Sequence, residues 1–232
     1  MTMRHRVEVE SGRLLESLLS LGAWFLLLVS GYLYVAGVLC GRSNPLASGN
    51  GVQDFVVVVA LSPLFFYLGP RHNWRPAEIS ARTILTWNGL SYVVPFFLAL
   101  HWEYLGNALG AQFSLTGADL SALNPRSIMI LALALAAIAG LLAYHLVWAH
   151  RARILRSYLA ALLGIPCVVA VITLGLGDAA YLHVHHYSLG AYLFPFFRFR
   201  KIPSLVAQAF FLGLAVEGIA RWGIDPMWYR VP

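Results

Sequence analysis

Seven stretches of this chain are apolar and approach the length a helix needs to cross a bilayer. A hydrocarbon core about 30 Å thick is spanned by about 20 mainly apolar residues. Residues 16–40, 53–68, 83–101, 128–148, 155–175, 179–197 and 202–222 come close to that, with short polar connections between most of them. Lipid offers no water to backbone N–H and C=O groups, so such stretches are read as helices. The expected fold is all-α: a polytopic integral membrane protein, one seven-helix transmembrane bundle over residues 1–232. Composition agrees, because 59% of the residues are apolar and 11% charged, where soluble domains carry about 25% charged. The mean hydropathy is +0.71.

The second stretch is the shortest and contains Pro63; a six-span reading would omit it. Orientation argues for keeping it. With seven spans, Arg4, Arg6, Arg13, Arg71, Arg75, Arg82, Arg151, Arg153, Arg156, Arg198, Arg200 and Lys201 fall on one side, three to a segment. Arg42, Arg126, Arg221 and Arg230 fall on the other. An excess of basic residues marks the cytosolic side, which puts the N-terminus in the cytosol and the C-terminus outside or in a lumen. The net charge of +6 therefore points to loops at a membrane face and not to nucleic acid.

The first stretch exceeds the roughly 7–15 apolar residues of a secretory signal, and no small-residue cleavage site follows it. Glu8, Glu10 and Glu16 interrupt the basic start and argue against a mitochondrial presequence. Cys40 and Cys167 lie inside apolar runs and read as small buried hydrophobes. The long outer loop, residues 102–127, carries Gly106, Gly110, Gly117 and the turn Asn124-Pro125. Its apolar residues, Leu109, Phe113, Leu115, Leu120 and Leu123, suit a segment at the interface or folded over the bundle mouth. In the fourth stretch Ala132, Ala136 and Gly140 recur every four residues, the small-residue spacing that lets helices approach closely.

Ionisable groups inside a bilayer are costly, so each is a candidate for function. The third span ends at His101 with Glu103 beyond it. The sixth begins at Asp178 and carries His183, His185 and His186, and the seventh carries Glu217 and Arg221 before Asp225. All these groups gather on the outer side. At helical rise His183 lies roughly 8 Å below Asp178, and Glu217 roughly 9 Å below Gly223. On a helix His183, His186, Tyr187 and Gly190 share a stripe, and Ala209, Gly213, Glu217 and Arg221 recur every fourth residue. Small residues mark the packed face, so both stripes are expected to point into the bundle.

Imidazoles beside carboxylates suit zinc or iron, with a carboxylate as ligand or as base to a bound water. The expected metal ligands are His183, His186, His101 and His185, with Glu217 and Asp178 as the catalytic carboxylates. Structural readings stand beside these. Glu217 and Arg221 have the spacing and order of a helical ion pair, Asp178 suits a helix N-cap, and His101-Trp102 suits an interfacial anchor. His145 reads as a helix–helix hydrogen bond. The basic loops with Trp74, Phe196, Phe197 and Phe199 suit anionic lipid headgroups.

The layout resembles that of the progestin/adiponectin receptor and alkaline ceramidase group, but their HxxxH on a late helix is absent and no residue carries over. A second resemblance rests on residues. His183-Val-His185-His186-Tyr187, then Gly190, Gln208, Gly213 and Gly218-Ile-Ala-Arg221-Trp222-Gly223-Ile-Asp225 resemble the C-terminal membrane segment of fungal LCCL-domain proteins and of related multi-pass eukaryotic proteins. The resemblance covers about a fifth of the chain. It implies that the histidine stretch and the end of the seventh span form one site, and it transfers no activity.

Three function classes follow. The first is a metal-dependent, hydrolase-like enzyme acting on a lipid. The second is a non-catalytic structural subunit of a larger membrane complex, and the third a transporter or receptor with an outer ligand cavity. The partners expected are membrane lipids and membrane proteins, with no nucleic acid.

Overall fold

The structure is a computed structural model. It describes residues 3–41, 49–73, 87–109 and 121–230, without the side chains of 3–13, 49–50 and 87–88. The chain is nearly all-α. Helix α1 (Met3–Tyr34) ends in a π-helical turn (Val35–Leu39), and α2 (Gly49–Leu68) in a 3-10 turn (Pro70–His72). Then come α3 (Trp87–Ala99), α4 (Trp102–Leu109), α5 (Pro125–Arg151) and α6 (Leu155–Leu176). Strand β1 (Ala180–Leu182), α7 (His186–Leu193), a 3-10 turn (Phe194–Phe196), α8 (Ile202–Trp222) and β2 (Trp228–Arg230) complete the order. Among the described residues five segments are long and apolar enough to cross a membrane: Leu14–Leu39, Gly51–His72, Pro125–Arg151, Leu155–Ala179 and Ile202–Trp222. Helix α3 is shorter, and residues 83–86 of the expected third span lie outside the described residues.

Pro63 does not break α2, so the reason for demoting that stretch disappears. A proline in a helix frees the carbonyl four residues earlier. Here that carbonyl, on Val59, accepts from the Ser62 hydroxyl at 2.8 Å. Pro166 in α6 poses the same problem at Leu162, whose carbonyl accepts from the hydroxyl of Tyr192 on α7. Helix α5 starts as its sequence suggests: Pro125 occupies the first turn, and the Asn124 side chain accepts from the Ser127 N–H at 2.9 Å. Asn124-Pro125 is thus a helix cap, and the expected outer loop is helical over Trp102–Leu109; Gly110, Phe113, Leu115, Gly117 and Leu120 lie outside the described residues.

The sixth stretch differs most from expectation. It is not one helix but a short strand, an extended segment, the eight residues of α7 and a 3-10 turn. β1 pairs antiparallel with β2, Tyr181 opposite Tyr229, and the Trp228 indole donates to Thr173 of α6 at 2.9 Å. At its other end Phe196 packs on Tyr158 and its carbonyl accepts from the Tyr158 hydroxyl at 3.1 Å. Residues 180–196 therefore run back along α6 from beside Thr173 to beside Tyr158, about 22 Å at helical rise. Carbonyls of the turn also accept from side chains. Phe194 and Phe197 accept from the Gln208 amide at 3.4 and 3.0 Å, and Phe197 also accepts from Asn73 at 2.7 Å.

Helix α8 is the axis of the molecule. Two-thirds of its span (67%) is buried, against 6% for the spans of α5 and α6. Glycines permit the approach: a Cβ on Gly190 would stand 2.6 Å from the Phe211 carbonyl oxygen and 2.8 Å from the Ala215 nitrogen. Gly213 faces the Phe96 carbonyl of α3, and Gly31 of α1 faces the Phe96 ring. Around this axis Trp24, Leu28, Tyr32, Phe96, Phe194, Phe197 and Leu212 form the core. A smaller cluster of Ala149, Tyr158, Leu162 and Phe196 joins α5 and α6 to the 3-10 turn. The stripe Ala132, Ala136, Gly140 on α5 is exposed, so contacts within this chain do not account for it; Cys167 on α6 is exposed as well.

One end of the bundle collects basic loops. Arg200 donates to the His72 carbonyl at 2.8 Å, and Lys201 stands over the Trp148 ring beside Arg151. The side chains of Arg4, Arg6, Arg13, Arg42, Trp74, Arg75 and Arg82 lie outside the described residues. Gly190→Ala is expected to lower stability by about 1–3 kcal/mol through overpacking. Gly164→Ala, where an added Cβ meets nothing within 4 Å, should leave it unchanged or slightly higher. Thermal unfolding in detergent measures both.

Candidate functional site

Helix α8 carries three wholly buried polar side chains, Ser204, Gln208 and Glu217, each bonded to another element. Ser204 meets His145 of α5 at 2.7 Å. A proton on His145 Nδ1, donated to the Leu141 carbonyl at 2.6 Å, leaves Nε2 to accept from the serine hydroxyl. This is the helix–helix bond expected for His145. Gln208 donates to the Phe194 and Phe197 carbonyls of the 3-10 turn and accepts from the Tyr92 hydroxyl of α3 at 3.4 Å.

Glu217 anchors the outer cluster. One carboxylate oxygen accepts from Arg221 Nε at 2.6 Å, one turn on; the other meets His186 Nε2 at the start of α7 at 3.1 Å. Gly218 clears the way, since a Cβ there would stand 2.7 Å from His186 Nε2. The guanidinium lies 5.6 Å from the centroid of the Tyr104 ring, so a cation–π contact ties α4 to the cluster. The carboxylate is thus matched by one permanent cation, which leaves no net buried charge while His186 is neutral. The ion pair expected from the i, i+4 spacing is present, and His186 is joined to it.

His101 is near the end of α3 but has separate commitments. Its Nδ1–H reaches the Phe97 carbonyl at 2.9 Å, leaving Nε2 to accept from the hydroxyl of Tyr34 on α1 at 3.2 Å. His183 does not share a helical stripe with His186, because the backbone is extended through His185 and α7 starts at His186. The helical-rise estimate for its depth falls with that helix. The His183 N–H donates to the Met227 carbonyl at 2.8 Å. Alternate residues of an extended chain share a face, so the His183 and His185 rings stack with centroids 4.3 Å apart, and His185 stacks on Tyr187 at 5.1 Å. Tyr187 accepts from the Asp225 N–H at 2.8 Å and donates to its carbonyl at 2.9 Å, which fixes the chain after α8. Asp178 lies exposed in a 3-10 turn after α6; the N-cap of the following helix is His185.

Among the described residues no three His, Cys, Asp or Glu side chains gather closely enough to hold one metal ion. The zinc or iron set expected from His183, His186, His101 and His185 with Glu217 or Asp178 is divided instead. His186 faces Glu217, His101 faces Tyr34, and His183 and His185 join an aromatic ladder with Tyr187 and Tyr229. Sequence reasoning missed Tyr34, Tyr104 and Ser204, and it named Gln208 within the resemblance without giving it a role. An amide in the middle of an apolar span was a usable signal for Gln208; nothing local distinguishes the tyrosines. The chain matches no protein-family model, no curated protein and no solved structure.

Glu217→Gln leaves Arg221 buried without its counter-charge and is expected to cost about 3–5 kcal/mol. Replacing the pair by Glu217→Met with Arg221→Met should cost markedly less. Denaturant unfolding of the detergent-solubilised protein compares the two.

Proposed function

We propose that the protein is a non-catalytic subunit of a larger membrane assembly, a fixed helical scaffold that crosses the bilayer seven times with its N-terminus in the cytosol. The observation that carries this reading is the commitment of α8's buried polar groups to its own neighbours: Ser204 to α5, Gln208 to α3 and the 3-10 turn, Glu217 to α7. Such bonds hold helices in one arrangement, and both Glu217 oxygens are occupied in doing so. Seven crossings are supported by the course of residues 180–196 along α6, which supplies a return path despite the missing long helix. The cytosolic N-terminus is supported by the gathering of the basic loops at one end. The exposed Ala132, Ala136 and Gly140 face offers a place for a helix of another chain.

The test is isolation from its native membrane in mild detergent with quantitative mass spectrometry of what accompanies it. Partners in fixed ratio are expected, retained by the Glu217→Met, Arg221→Met pair and depleted by Gly140→Leu, which meets open space in this chain. Isolation as a single species would overturn the reading.

A second reading, metal-dependent hydrolysis of a lipid, is favoured by one feature. His186 is 30% exposed with Glu217 behind it, and its Nδ1 has no hydrogen-bond partner among the described residues. Elemental analysis of wild type beside His183→Ala and His186→Ala decides. Near-stoichiometric zinc or iron, lost in both folded variants, would put the enzyme in place of the scaffold.

A further inference from the structure

The basic end of the bundle contains two cations brought to one aromatic ring. Lys201 Nζ lies 4.7 Å from the centroid of the Trp148 ring and Arg151 Cζ lies 5.1 Å from it. They come from different parts of the chain, Arg151 from the last turn of α5 and Lys201 from the residue preceding α8. Among the described residues neither has a carboxylate partner, since the salt bridges found there are both made by Glu217 at the opposite end. Arg153, between α5 and α6, and Arg156, in the first turn of α6, are exposed too. Like charges held near one another without a counter-ion repel, at a cost that falls when an anion binds between them. Lys201 adds to this, because it stands at the N-terminus of α8, where the helix dipole favours negative charge.

The surroundings select the kind of anion. Val147 and Ile202, neighbours in sequence of Trp148 and Lys201, are exposed and apolar. The place therefore offers cations and an indole at headgroup level and apolar surface beside them, the two chemistries of a phospholipid. We infer that Lys201, Arg151 and Trp148 form a binding site for an anionic phospholipid, with the two cations on its phosphate-bearing headgroup. This site is independent of the scaffold reading, being at the other end of the bundle from the Glu217 cluster.

The experiment uses the full chain, delipidated in neutral detergent, and measures lipid retention by native mass spectrometry together with the unfolding temperature. The probes are phosphatidylglycerol, phosphatidylcholine and inorganic phosphate. Phosphatidylglycerol should be retained and stabilise the protein, less so at high salt. Lys201→Gln and Arg151→Gln should each weaken its binding about fivefold, and the pair about 25-fold. Arg230→Gln removes an exposed cation at the far end and should change nothing. Each single variant is compared with wild type in phosphatidylcholine, which reads folding separately from binding. Equal retention of phosphatidylcholine, equal stabilisation by inorganic phosphate, or undiminished binding in the paired variant would each overturn the site.

Discussion

A carbonyl oxygen that has lost its helical partner is the constraint around which this bundle is organised. Leaving a buried acceptor unmade costs about 1–3 kcal/mol, a large part of the stability of any domain. The chain creates such carbonyls at Pro63 and at Pro166, and it answers both with hydroxyls, one from the preceding serine and one from another helix. Where residues 180–196 leave the helical path, Gln208, Asn73 and Tyr158 supply further donors. These donors come from α8, from the end of α2 and from α6. Satisfying the backbone of one segment therefore fixes the positions of three others.

This explains why α8, and not one of the more apolar helices, occupies the centre. A helix that faces lipid has no use for an amide or a carboxylate, and α5 and α6 are nearly free of both. Ser204, Gln208 and Glu217 are tolerable in a membrane span because each is met by a partner from a different element. Glu217 is the most demanding of them, since an ion removed from water recovers that cost only through good geometry and a counter-charge. Arg221 supplies the charge from the same helix, and His186 the second contact. Gly218 supplies the room.

The helical spans were legible wherever a single run of apolar residues made a single helix: residues 202–222 correspond to α8, and 155–175 lie within α6. The i, i+4 relation of Glu217 to Arg221 is local and could be read directly. So could the packed face of Ala209, Gly213 and Glu217. The stretch 179–197 could not, because its composition suits a helix while β2, forty-odd residues downstream, holds its first part extended. Hydropathy carries no information about that pairing. With the helix gone, the stripe that joined His183 to His186 dissolves, and with it the convergence of histidines that suggested a metal. Tertiary partners such as Tyr34 for His101 and Tyr192 for Leu162 depend on how helices are arranged. No spacing along the chain announces them.

The bond from Gln208 to Phe194 and Phe197 has a consequence for how the protein is made. Synthesis delivers the broken segment to the membrane before the helix that completes it. Both carbonyls have another donor from earlier in the chain or from the turn itself, the Phe197 N–H for Phe194 and the Asn73 amide for Phe197. The turn can therefore close before α8 exists, and Gln208 arrives last, as a bolt across an arrangement its predecessors have already formed.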